Sequence, residues 1–142
     1  MVAAMILKAS RCCCAAVSAA LSLIPISVAC AGGWEQSRDW YIELKRAAKY
    51  ARIAITGIAD LNRIDTEQAT AGKQLQAALQ LPLPDKDKAV CSAAAKAVVD
   101  FIAAGKAGNM TGGPASYERQ YARWDALSVD CLKGIQRLGT GG

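Results

Sequence analysis

From Trp34 onward the apolar residues recur at helical intervals. Trp34, Tyr41, Leu44, Ala48, Ala51, Ile55 and Ile58 fall three, four or seven apart. At about 100° per residue they share a face roughly 120° wide, which predicts an amphipathic helix over about 34–62. Trp40, Ala47 and Ala54 border that face, and Ile42, Ile53 and Ile64 interrupt an otherwise charged opposite side. A second apolar set, Ala71, Leu75, Ala78 and Leu79, is rotated by roughly 150° if one helix runs straight through. The chain is therefore expected to break near residues 62–65 and restart over about 66–80. Asp65, with Gln68 three residues on, has the spacing of a capping box for the restart. A single bent helix would leave the same pattern.

The run Leu81-Pro82-Leu83-Pro84-Asp85 is strong punctuation, because proline lacks the amide a helix needs and pushes its predecessor toward extended backbone. A third helix over about 86–104 follows, with Asp85 as its expected N-cap and Asp87 in its positive first turn. Val90, Cys91, Ala94, Val98, Phe101 and Ile102 form its apolar face. Gly105 is expected to end it, and residues 105–114, rich in glycine and closed by Pro114, to form a flexible loop. Tyr117, Tyr121, Trp124, Ser128, Cys131, Ile135 and Leu138 then repeat at strict four-three spacing and predict a last helix over about 116–138. No segment alternates as a strand would. The expected fold is all-α, a small antiparallel bundle of three to four helices with one inter-helix disulfide.

Residues 1–31 stand apart. Lys8 and Arg11 precede an apolar, small-residue run from Cys12 to Ala31, and Ala29-Cys30-Ala31 supplies the small residues that signal peptidase requires. This is the pattern of a secretory leader, with Gly32 as the expected mature start and 32–142 as a single helical domain. The expected location is the periplasm or the exterior. The run of 20 residues is also about long enough to remain as a membrane anchor, which Pro25 and the small-residue end oppose. Cys30 as a lipidated cysteine is opposed by Ser27, which stands where that motif takes Leu.

With the leader gone, 15 basic residues face 12 acidic ones, a net charge of +3. This is too mild to point to nucleic acid, and permits attraction to an anionic membrane, a glycan or an acidic protein. Of six cysteines only Cys91 and Cys131 remain, and a lone pair in an exported domain reads as a disulfide. In a helical hairpin turning over residues 105–116, Cys91 lies 14 residues before the turn and Cys131 lies 15 after it. Both then sit about 21–23 Å from the turn, level with one another.

There is no histidine in 142 residues, which removes Ser-His and Cys-His nucleophiles and the usual zinc and haem ligation. Residues 105–113 lack the Lys-Ser/Thr that completes a phosphate loop. Asp60 with Asp65, or Glu35 with Asp39, has acid/base chemistry available but the spacing of ordinary solvated helix faces. No catalytic residue, cofactor or metal ligand is expected.

Three places are suited to a partner. Arg38, Lys45, Lys49, Arg52 and Arg63 form a cationic ridge on the first helix, beside an aromatic edge made by Trp34 and Tyr41. Tyr117, Tyr121 and Trp124 alternate with Arg119 and Arg123, although four-three spacing assigns those aromatics to a core first. The glycine-rich segment is the third. The expected function is that of a non-catalytic binding protein of the envelope, such as an inhibitor, an immunity-type protein or an accessory of an envelope complex, with another envelope protein as partner. A membrane-surface protein docking through the ridge is the alternative, and a carboxylate-only enzyme ranks below both.

Overall fold

The computed structural model describes residues 28–57, 60–111 and 115–140, with side chains over 32–57, 60–108 and 116–140. Most of the expected leader therefore lies outside the described residues, as do Ile58 and residues 112–114. The described chain is four helices: α1 Val28–Thr56, α2 Leu61–Ala78, α3 Asp85–Thr111 and α4 Ala115–Gly139. They form an up-and-down four-helix bundle. Sequential helices are antiparallel neighbours, α1 closes the ring against α4, and α1 also reaches α3 across the centre. α2 and α4 stand at opposite corners, with no close backbone approach between them among the described residues. Among the described residues no helix is long and apolar enough to cross a membrane.

α1 buries a broader arc than its stripe alone requires, because it packs against all three other helices. Trp40, Ala47 and Ala54, placed on the border by sequence, are buried together with Tyr41, Leu44, Ala48, Ala51 and Ile55. The helix stops at Thr56, earlier than the expected 62. The break is made by Asp60, whose extended backbone (φ −91°, ψ 90°) and carboxylate, accepting the Arg63 amide at 3.0 Å, cap α2. Asp65 is therefore not the cap. It lies one turn inside α2 and pairs across the bundle with Lys106 of α3. Starting α2 at Leu61 also moves Ile64 from an anomaly of the charged face of α1 to a fully buried position of α2, beside Glu67, Ala71 and Ala78. Leu79, expected on that apolar face, is the C-cap of α2 and is exposed.

In the punctuation that follows, Leu81 and Leu83 are buried and Pro82 and Pro84 are exposed, so the extended stretch is itself pinned to the core. The Pro84 carbonyl accepts the Lys88 amide at 2.9 Å, which makes Asp85 the first helical residue and not the cap. α3 is the central helix. Cys91, Ala94, Ala95, Ala97, Val98, Phe101 and Ile102 are all essentially inaccessible, because α3 packs against α2, α4 and α1.

The largest departure from expectation is that α3 runs to Thr111, through the segment read as a loop. Gly105 is not a cap but a contact point. Ile55 of α1 rests on it so closely that a Cβ there would overlap the Ile55 side chain. Two more glycines serve in the same way. Gly134 of α4 lies under Asp87 of α3, where a Cβ would come within 2.9 Å of the Asp87 Cβ, and Gly139 lies under the Trp34 indole. Each seats a side chain of one helix against the backbone of its neighbour.

Cys91 and Cys131 form the expected disulfide, with their Cα atoms 4.8 Å apart. Measured from the helix ends, Cys91 lies 20 residues before Thr111 and Cys131 lies 16 after Ala115, so the pairing is the expected one but the turn is shorter than residues 105–116 and the two cysteines are not equidistant from it. On the side of the disulfide away from the turn, Arg137 donates to Asp87 at 2.6 Å. A covalent and an ionic tie thus hold the open end of the α3–α4 hairpin.

Candidate functional site

The cationic ridge of α1 is divided by its partners. Arg38 donates to Asp39 at 3.0 Å and lies over the Trp34 ring, 4.8 Å from its centroid. Arg52 lies 3.8 Å from Glu118 and 4.2 Å from the Tyr121 ring centroid. Arg63, on α2, is held by the buried Glu67 at 2.7 Å and by the face of Tyr50. Lys45 and Lys49 differ: both are exposed, and neither has a partner among the described residues. The aromatic edge is also divided. Trp34 is half-buried on Gly139, whereas Tyr41 is in the core, its ring tilted against Trp124 with centroids 6.4 Å apart.

Lys45 and Lys49 border a groove of about 390 Å³ between α1 and α4. α1 contributes Tyr41, Lys45 and Lys49, which stack along one face at successive steps of four. α4 contributes Tyr121, Trp124 and Asp125 from one turn, and Ser128, Val129 and Leu132 from the next. Tyr41 and Trp124 are almost wholly buried, Tyr121 and Leu132 are half-buried, and Val129 is exposed. The groove thus has a mostly apolar, aromatic lining, two ammonium groups from α1, and the Asp125 carboxylate from α4.

Hydrogen bonding within this groove is incomplete. The Ser128 hydroxyl is satisfied, donating to the Asp125 carbonyl at 2.8 Å. The Trp124 indole N–H and the Tyr41 hydroxyl have no partner within the described chain, although both residues are more than nine-tenths buried. Neither atom is sealed off, since Gln120 Oε1 is the one enclosed side-chain polar atom without a partner among the described residues. Trp40 shows the contrast, because its indole N–H donates at 2.9 Å to the Gln74 carbonyl of α2.

Two other hollows have part of their polar lining committed. One of about 380 Å³ at the α1–α2 corner is lined by Tyr50, Ile53, Ala54, Gly57, Asp60 and Arg63. There Asp60 is occupied as the cap and Arg63 by Glu67 and Tyr50. Another, of about 420 Å³, lies where Trp34 meets Gln136, Gly139 and Thr140, and the Thr140 hydroxyl is bonded to the last turn of α4.

The remaining sequence candidates are dispersed. Tyr117 and Tyr121 lean on Phe101, with centroids 6.4 and 5.1 Å away, while Arg119 and Arg123 are exposed. Of the carboxylates considered for acid/base work, Asp60 caps a helix, Asp65 pairs with Lys106 and Asp39 with Arg38. Among the described residues no three His, Cys, Asp or Glu side chains are grouped to hold a metal ion. The site missed by sequence is the α4 wall of the groove, since Asp125, Val129 and Leu132 acquire meaning only opposite Lys45 and Lys49. Set against known protein families, curated proteins and solved structures, the chain matches none.

Proposed function

We propose that the chain is exported, that the protein is released at Gly32, and that the mature bundle is a non-catalytic binding protein of the periplasm or cell envelope. The observation that carries the reading is the Cys91–Cys131 disulfide joining the two helices of the α3–α4 hairpin. Such bonds form and persist in oxidising compartments. Residues 1–31 supply the basic, apolar and small-residue pattern that would deliver the chain there. The packing is compatible with that cut. The buried residues of the described chain begin at Ser37, and Gly32 is exposed, whereas Gly33 lies against Pro82 and Leu138.

Binding is favoured over surface docking by the state of the ridge. Arg38, Arg52 and Arg63 are engaged with carboxylates or aromatic faces, which leaves Lys45 and Lys49 beside a groove as the cations of that ridge able to meet a partner. The partner class expected is another envelope protein or an anionic ligand.

The test is expression of the full chain in a cell with a periplasm, followed by mass analysis and thiol counting of each fraction. A periplasmic protein beginning at Gly32 with no free thiol supports the reading. An intact leader on cytosolic protein with reduced cysteines overturns it.

A further inference from the structure

We propose that the α1–α4 groove is a binding site for a small amphipathic anion, with the apolar body seated between the aromatic walls and the anionic head on Lys45 and Lys49. This goes beyond the export reading and does not depend on it, since the groove's chemistry is the same in any compartment.

Four observations converge. The groove's volume of about 390 Å³ lies within the range of small-molecule sites, about 300–1,000 Å³. Its lining is mostly apolar, with Val129 half exposed and Leu132 partly so, and this favours an apolar ligand body. Among the described residues its two ammonium groups have no carboxylate partner, in contrast to Arg38, Arg46, Arg52 and Arg63 nearby. Finally, the Trp124 indole N–H and the Tyr41 hydroxyl, on nearly buried residues of the lining, have no partner among the described residues. Both can donate, as do the ammonium groups, and an anionic oxygen is the acceptor that suits them together.

Asp125 orients the ligand. Its carboxylate lies on the α4 side, one turn before Val129, and repels an anionic head there. The head is therefore directed toward α1 and the apolar body toward Val129 and Leu132. A cationic or zwitterionic ligand would be oriented the opposite way, with its positive group at Asp125.

The test uses the purified, oxidised protein and decanoate below its micelle-forming concentration, with decanol and decyltrimethylammonium as equal-length comparisons and tryptophan fluorescence as readout. Decanoate is expected to bind saturably, and the two comparisons about tenfold more weakly or not at all. K45Q/K49Q should weaken decanoate binding by roughly tenfold or more, the effect of losing a charged hydrogen bond to a bound anion. R119Q/R123Q, which removes the same charge from exposed positions outside the groove, should leave it nearly unchanged. D125N should strengthen it. All substituted positions are exposed, so the fold is expected to persist, which circular dichroism checks. Absence of saturable binding, equal binding of decanol or the ammonium compound, or equal losses in the two double variants would each overturn the assignment.

Discussion

Ile55 of α1 lies against the backbone of Gly105 in α3, leaving no room for a Cβ at position 105. The missing side chain is what lets the central helix approach α1 at this point. In an isolated helix Gly→Ala is stabilising by about 1 kcal/mol. Here overpacking, about 1–3 kcal/mol, exceeds that gain. Gly105→Ala should therefore destabilise the protein to urea, but become neutral or stabilising when Ile55 is also replaced by Ala. A double-mutant cycle reads the sign change. If Gly105→Ala is stabilising with Ile55 intact, the contact is not tight.

The disulfide closes a sequence separation of 40 residues. Its loss should lower stability by about 2–4 kcal/mol through the greater freedom of the unfolded chain. Urea titration with and without reductant measures this directly. Cys91→Ala/Cys131→Ala should cost somewhat more than reduction, because both residues are fully buried and the shorter side chains leave space behind. Equal midpoints in oxidised and reduced protein would contradict this.

Two aspartates near the α1–α2 break have different roles, and substitution should separate them. Asp60→Ala removes the acceptor of the Arg63 amide and should cost about 1 kcal/mol. Asp65→Ala breaks an ion pair with Lys106 in which both side chains are substantially exposed, and should cost less than about 0.5 kcal/mol. Thermal unfolding of the two variants side by side ranks them, and the reverse order would relocate the cap.

Ion pairs of unequal burial give a second ranking. The Asp87 side chain is 10% exposed and accepts from Arg137, whereas Asp130 and Lys133 are both more than half exposed. Arg137→Met leaves a nearly buried carboxylate without its partner and should destabilise by about 1–2 kcal/mol. Lys133→Met should change stability by less than about 0.5 kcal/mol. The Arg137 effect should also persist better in added salt.

The helical class, the four-three stripe of the last helix and the cysteine pairing were legible because each follows from a local period or from register along a rigid helix. The stripe residues Trp124, Ser128, Cys131 and Ile135 are all buried. What sequence spacing misplaced depends on partners distant in the chain. Gly105 reads as a stop until Ile55 is brought against it, and Ile64 reads as an anomaly until Asp60, not Asp65, starts α2. The functional candidates were half legible for the same reason. Lys45, Lys49 and Tyr41 stood out on one helix, but equally with Arg38, Arg52 and Trp34, whose partners were not visible. The opposite wall belongs to α4, and no period within either helix reveals which residues face each other across a groove.

The disulfide also divides the chain mechanically. The loop it closes contains the turn and the greater part of α3 and α4, while α1 and α2 precede it. Under tension applied at the two ends, α1 and α2 can be drawn out to full extension, but the residues between Cys91 and Cys131 remain hidden from the force until the bond is reduced. The oxidised chain should thus stop short of its reduced contour by about 140 Å, leaving a shielded two-helix remnant as the last piece to yield.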